Sequence, residues 1–239
     1  MIIIDGAYGE GGGQVLRTSL TLSILTGKAI QIQNIRAGRP KPGLAAQHLT
    51  AVRAAAAICD ANLTGDEMGS QQVRFQPGGP PQAGTYTFDV AQIRGSGSAG
   101  SVSLVLQTVL LPLALAPGSS KLTLRGGPHV AWSPSFPYIK DVYLPALAQL
   151  GIQATVELEN WGFYPAGGGE LVAYIPGNCT QVRPLSLTER GATEKTWGTA
   201  VAANLPAHIP QRMANRAQNL LTDLRADIQA RRVRAKGPG

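Results

Sequence analysis

Residues 2–17 read Ile2-Ile-Ile-Asp5-Gly6-Ala-Tyr8-Gly9-Glu10-Gly-Gly-Gly13-Gln14-Val-Leu-Arg17, and this stretch decides the fold class. The three isoleucines predict a short buried strand. The glycines of 6–13 predict a tight turn, because glycine accepts positive φ without steric cost. From Gln14 to Leu25, the apolar residues Val15, Leu16, Leu20, Leu22 and Leu25 predict a helix, stopped by Gly27. Strand, turn and helix in that order open an α/β unit.

Working outward, further strands are predicted at Ile30–Ile35, Val73–Phe75, Thr85–Phe88, Leu122–Leu124, Ile152–Leu158 and Leu171–Ile175. Helices are predicted at Leu44–Ile58, Ser98–Ala116, Ser135–Leu150 and Ile209–Leu224. Two segments echo one another. A strand, Arg36-Ala-Gly-Arg39, prolines and a helix (34–58) resemble a strand, Arg125-Gly-Gly, prolines and a helix (123–150). Gly11-Gly12-Gly13-Gln14 is echoed by Gly167-Gly168-Gly169-Glu170. The expectation is an α/β (α+β) fold. Residues 1–176 form two repeated α/β units, each with two helices packed on a four-stranded sheet. After Pro184 the character changes: 185–204 reads as one or two strands and Ile209–Leu224 as an amphipathic helix. The chain closes on basic residues and a Gly237-Pro-Gly turn, which reads as an interruption inside a small α/β domain.

Bulk properties narrow the function. The 239 residues are 44% hydrophobic, enough for a sizeable core. The formal charge is +7, and residues 206–239, with seven basic and two acidic side chains, carry +5 of it. That surplus suits an anionic partner such as a nucleic acid or nucleotide, or simply a soluble surface. Cys59 and Cys179 stand far apart without CxxC spacing, so neither a zinc site nor a disulfide framework is expected. No signal peptide and no membrane-length apolar run is visible, and the expected location is the cytoplasm.

The chemistry-bearing residues gather at strand ends and helix starts, where α/β proteins bind ligands. The turn before Gln14 can present backbone N–H groups to a phosphate at a helix N-terminus. It is neither a Rossmann fingerprint nor a P-loop, and such a turn taken alone is more often only a tight turn. Glu10 would repel phosphate unless a divalent metal bridged the two. Arg17, one turn inside the helix, can return to the same mouth. Arg36 and Arg39 follow the second strand, where a guanidinium can grip phosphate bidentately. Gln47 and His48 begin the next helix. Against this, the arginines could be solvated loop charges and His48 a satisfied core residue. Gly95–Ser101 is a second candidate anion cradle. Gln107, inside an apolar helix, either ties the core or reads a ligand. His129 and His208 show no Ser or Asp partner for a catalytic triad.

Four motifs in order resemble the RNA 3′-terminal phosphate cyclases. They are Asp5-Gly-x-x-Gly-Glu10-Gly-Gly-Gly-Gln14-x-Leu-Arg17 and Ile35-Arg36-Ala-Gly-Arg39-x-Lys-Pro-Gly-Leu-x-x-Gln47-His48-Leu. The third is Gly97-Ser-Ala-Gly-Ser101 with Leu104-Val-Leu-Gln107-Thr, and the fourth Gly162-Phe-Tyr-Pro-x-Gly-Gly-Gly169. The resemblance runs from residue 1 to about 180 and continues more weakly beyond. It implies three related α/β units with a small α/β domain inserted before the third, so that 1–183 would be the body and 184–239 part of the insert. It implies an enzyme that uses ATP and a divalent metal (Mg or Mn) to adenylylate a histidine. AMP then passes to an RNA 3′-phosphate, and the 2′-hydroxyl closes a 2′,3′-cyclic phosphate. It implies that Glu10 holds metal and ATP and that Gln107 contacts the nucleotide. Gln14, Arg17, Arg36, Arg39, Gln47 and His48 would line the site for the RNA end. The family's histidine nucleophile belongs to the third unit, and none of the three histidines here stands in its motif. The expectation is therefore that this chain alone does not form the histidine–AMP adduct, and that a second chain could supply the remainder. Two further readings stay open: a non-catalytic RNA-binding or ribosome-assembly relative, and a phosphate-transfer enzyme of similar architecture acting on a small metabolite.

Overall fold

In the computed structural model, which describes residues 1–92 and 99–239, two four-stranded sheets repeat one topology. The first unit runs β1 (Ile2–Asp5), α1 (Gly13–Thr26), β2 (Ile30–Gln33), α2 (Ala46–Ala57), β3 (Asn62–Thr64) and β4 (Val73–Gln76). Its strand order is β1-β2-β4-β3, with β1 and β2 parallel and the other pairs antiparallel. The second unit runs β5 (Thr85–Asp89), α3 (Val102–Leu115) and β6 (Ser120–Gly126). A helical stretch follows, made of α4 (Phe136–Tyr138), a π-helical turn (Ile139–Tyr143) and α5 (Leu144–Gln149). Then come β7 (Thr155–Asn160) and β8 (Gly169–Ile175). Its order is β5-β6-β8-β7, with β5 and β6 parallel and the rest antiparallel.

The equivalence reaches individual hydrogen bonds. Asp5 lies opposite Gln33 in the first sheet, and Asp89 opposite Arg125 in the second. The Gly6 N–H donates to Gln33 O at 2.7 Å, and the Val90 N–H to Arg125 O at 2.9 Å. Asp5 Oδ1 accepts the Ala7 N–H at 3.0 Å, and Asp89 Oδ1 the Ala91 N–H at 2.7 Å. Both strands thus end in the same aspartate turn, which starts the chain towards its helix. This register corrects the expected alignment of the repeats. Arg125 matches Gln33, not Arg36, and is held inside its sheet by Glu170 at 2.7 Å. Gly11–Gly13 opens a helix, whereas Gly167–Gly169 leads into β8; their shared composition serves two different turns.

Helices α1, α2 and α3 pack on one another, so helices of both units share one layer and one continuous core. Leu16, Leu20 and Ile24 of α1 meet Leu49 and Val52 of α2 and Leu106, Leu110 and Leu113 of α3 there. Pro112 continues α3 although it lacks the N–H that would bond Thr108 O. Thr108 O instead accepts the Thr21 hydroxyl of α1 at 2.8 Å. The lost intrahelical bond has become a seam between the units.

β1 departs from expectation: Ile2 and Ile3 are 47% and 66% exposed. As the terminal strand of its sheet, β1 pairs only with β2, and Ile4 alone packs on the core. Val73–Phe75 and Thr85–Phe88, adjacent in sequence, fall in different sheets. Two strands are additional to those expected, β3 and β10 (Asp227–Val233). β10 lies parallel to β9 (Trp197–Ala203), with α6 (His208–Leu220) crossing between them, a third small β-α-β element. Within the helix expected at 135–150, the Leu144 N–H reaches back to Ile139 O just before Pro145, making the π turn.

Candidate anion-binding site

Three loop–helix junctions build the site. α1 starts at Gly13 after an N-cap glycine, Gly12, so no side chain occupies the free N–H groups of its first turn. The loop before it turns through left-handed Gly9 and Gly11, at φ 65° and 57°. A Cβ on Gly13 would collide with His48 Nε2 and lie 2.7 Å from Arg17 Nη1. Glycine there is therefore a packing requirement. It lets a histidine of α2 and an arginine of α1 converge on the start of α1.

His48 is buried. Its Nδ1 accepts the Ala45 N–H at 3.2 Å, which caps the first turn of α2. Burial above all, then the charges of Arg36 and Arg17, hold its pKa down to about 3. A neutral ring whose Nδ1 accepts must carry its proton on Nε2. His48 therefore presents an N–H donor to the Gly13 corner, and Nε2 has no lone pair for nucleophilic attack.

Arg17 is 7% exposed, yet its partners are amides. Its Nη2 donates to Gln14 Oε1 at 2.9 Å and its Nε to Gln107 Oε1 at 3.3 Å. Burial lowers its pKa to about 10. Among the described residues, the carboxylates in salt bridges pair with Arg39, Arg53 and Arg125. A buried guanidinium held by neutral oxygens keeps its charge available to an anion.

Arg36 adopts φ 54° and donates from Nη1 to Gly43 O at 2.6 Å. Burial, then the neighbouring Arg39, lowers its pKa. Arg39 approaches Glu10 at 3.8 Å, and its Nη2 lies 3.3 Å from where a Gly12 Cβ would stand. The Glu10 side chain is 95% exposed. Among the described residues no group of three metal-ligating side chains exists.

The expected residues thus fall into two groups. Gln14, Arg17, Arg36, Arg39, His48 and Gln107 surround the α1 start, with Glu10 at its rim. Gln47 turns towards the second unit instead, where its Oε1 accepts the Ser101 N–H at 2.9 Å at the start of α3. It lines a cavity of about 550 Å³ with Ala45, Ala46, Ala99, Gly100, Val130, Ala131, Trp132, Tyr164 and Pro165. Gly95–Ser98 of the second expected cradle lies outside the described residues; Ser101 caps α3 by accepting the Leu104 N–H at 3.4 Å. His129 and His208 stand apart from the cluster. Sequence reasoning missed Gly13 as an individual requirement and Trp132 and Tyr164 as cavity walls. A second glycine just inside the helix, where a helix former is ordinarily preferred, was the available signal for the first.

No helix of the described residues is long and apolar enough to cross a membrane. A family model described as RNA 3′-terminal phosphate cyclase matches residues 8–226. The RNA 3′-terminal phosphate cyclase of Trichormus variabilis is 59% identical over 241 residues, covering 100% of this chain and 69% of that protein. That of Methylococcus capsulatus is 54% identical over 223 residues, covering 93% of this chain and 62% of that protein. Among solved structures, the enolpyruvyl transferase NikO from Streptomyces tendae matches at a TM-score of 0.38 and 17% identity, over 92% of this chain and 38% of that one.

Proposed function

The chain belongs to the RNA 3′-terminal phosphate cyclase family, and we propose that the cluster around Gly13 receives the 3′-phosphate of an RNA end. One observation carries this reading: Arg17 is buried beside a neutral, donating His48, and its hydrogen-bond partners among the described residues are amide oxygens. A phosphate placed at the start of α1 would accept from the helix N–H groups, from His48 Nε2–H and from Arg17, while Arg36 and Arg39 add positive potential. A dianionic terminal phosphate takes more from that set than the monoanionic diesters inside a strand.

The cyclisation that the family name describes joins the 2′-oxygen to the terminal phosphorus. That phosphate would first have to be adenylylated at the expense of ATP, with release of pyrophosphate; the 2′-hydroxyl would then give up its proton as its oxygen bonds phosphorus and AMP leaves. In this proposal Gln107, already oriented by Arg17, contacts the ATP side of the site. Glu10 would offer a carboxylate to a divalent metal there, and such a metal would offset phosphate charge. His48 acts as a donor and not as the adenylylated histidine, because its Nδ1 is engaged and its Nε2 carries the proton.

The test is equilibrium binding of two oligoribonucleotides that differ only in a 3′-phosphate or a 3′-hydroxyl. The phosphorylated strand should bind at least tenfold tighter, and Arg17→Met should abolish the difference. Equal affinity of the two strands for the parent chain would overturn the proposal. An acid-labile AMP adduct on His48 would overturn its donor role.

A further inference from the structure

The cavity beside Gln47 has aromatic walls that the phosphate site leaves unexplained. Trp132 is 100% exposed and Tyr164 75% exposed. Both line the same cavity of about 550 Å³, whose floor is Ala45, Ala46 and Gln47 of the α2 start and Ala99 and Gly100 before α3. His48 follows Gln47 directly, so the cavity and the anion cluster share the first turn of α2.

Trp132 also carries backbone strain. It sits at φ 62°, in the left-handed region that bulky side chains avoid. A fully exposed indole gains no packing energy in return. Strain retained without a structural return is a mark of a working position.

We propose that Trp132 and Tyr164 form a stacking platform for the bases of single-stranded RNA just upstream of the bound 3′-phosphate. This inference rests on the phosphate reading of the adjoining cluster. Exposed aromatic faces next to a cationic phosphate site are the pattern by which proteins hold unpaired nucleotides. Charge complementarity fixes the direction of the strand. Its terminal phosphate enters the Arg17, Arg36 and His48 cluster, and its preceding nucleotides leave along the α2 start into the cavity. Gln47 is fixed by the Ser101 N–H and lines the cavity, next in sequence to His48 of the cluster. Stacking on a flat ring tolerates any base, so the platform selects unpaired ends and not a sequence.

The experiment compares a 3′-phosphorylated mononucleotide, a 3′-phosphorylated tetranucleotide, and the same tetranucleotide with abasic upstream positions. Binding of each is measured to the full chain and to Trp132→Gly and Tyr164→Ala. For the parent chain, the tetranucleotide should bind on the order of tenfold or more tighter than both other probes. Trp132→Gly should erase that gain while leaving mononucleotide affinity unchanged. Its thermal midpoint should stay level or rise, because glycine relieves the left-handed strain. A merely structural tryptophan would instead lower the midpoint and all three affinities together.

Full retention of the length-dependent gain in both variants overturns the platform while leaving the phosphate site intact. Loss of ATP binding in Trp132→Gly with RNA binding untouched also overturns it, and assigns the cavity to the nucleotide. A parent chain that does not prefer 3′-phosphate to 3′-hydroxyl ends defeats the underlying reading and the platform with it.

Discussion

Gly13→Ala offers the sharpest test of the site geometry. Helix propensity alone favours the change, by at most about 1 kcal/mol. Space opposes it. The new methyl would overlap His48 Nε2 and stand 2.7 Å from Arg17 Nη1. Neither neighbour yields freely. His48 is buried and holds the Ala45 N–H, and losing that cap costs about 1 kcal/mol. Arg17 is held by Gln14 and Gln107. Overpacking of this kind costs about 1–3 kcal/mol, so the net destabilisation should be about 0–3 kcal/mol, too little to unfold a domain of ordinary stability. Function should suffer more. Displacing either donor removes a hydrogen bond to a charged group worth about 1.5–3 kcal/mol, roughly a 10- to 150-fold loss of affinity. The control is Gly12→Ala, whose methyl meets, among the described residues, Arg39 Nη2 at 3.3 Å, the far end of a half-exposed, flexible side chain. Fluorescence anisotropy with 3′-phosphorylated and 3′-hydroxyl oligoribonucleotides, beside a thermal melt, reads both quantities. Gly13→Ala should lose its preference for phosphate ends while Gly12→Ala keeps it. If both alanine variants discriminate as well as the parent chain, the convergence of Gly13, His48 and Arg17 is not the phosphate site.

Four further outcomes follow from the same structure. Thr21→Val strands Thr108 O, which Pro112 cannot serve, and should cost about 1–3 kcal/mol in urea denaturation; an unchanged midpoint would mean the α1–α3 seam does not depend on that bond. His129 has no hydrogen-bond partner on either ring nitrogen among the described residues and stacks on Trp161 at 4.6 Å, so His129→Phe should raise the melting temperature; a fall would show that the nitrogens are satisfied in solution. Acid should destabilise the fold: His48 and His129 are held neutral to about pH 3 and 4 but titrate near 6.5 when unfolded, so the unfolded chain binds more protons as pH falls from 6.5. His48 alone should remove about 2–3 kcal/mol by pH 4.5, and a flat stability profile between pH 7.5 and 4.5 would contradict both assignments. Glu10→Gln should abolish any gain in phosphate or ATP binding from added Mg²⁺ while leaving metal-free binding of the RNA end equal or tighter; an undiminished Mg²⁺ effect would place the metal elsewhere.

Much of this was legible in the sequence because it is local. Glycine turns, helix periodicity and a helix stop are written within a few residues of where they act, so α1, β2, α2 and β6 fall close to their expected places. Partnership is not local. Nothing in Ile2-Ile-Ile says that β1 ends its sheet, so exposure of Ile2 and Ile3 could not be read. The alternation of β10 is masked by Arg231 and Arg232, which made a strand look like a basic tail. The echo between Arg36 and Arg125 was a likeness of composition that strand register alone could correct.

The candidate site shows why the duplication matters. Two copies of one topology would present two equivalent mouths, and among the described residues the cationic cluster stands at the first. Its asymmetry comes from the seam. Gln107 reaches from α3 to orient Arg17 on α1, and Gln47 reaches from α2 to hold the Ser101 N–H at the start of α3. In the second unit, the counterpart of the Asp5–Gln33 register carries Arg125, already neutralised by Glu170. The first unit contributes the charges and the second contributes their alignment. A substitution at the seam should therefore behave like one in the site: Gln107→Leu removes no charge, yet it frees a buried guanidinium from one of its two amide anchors.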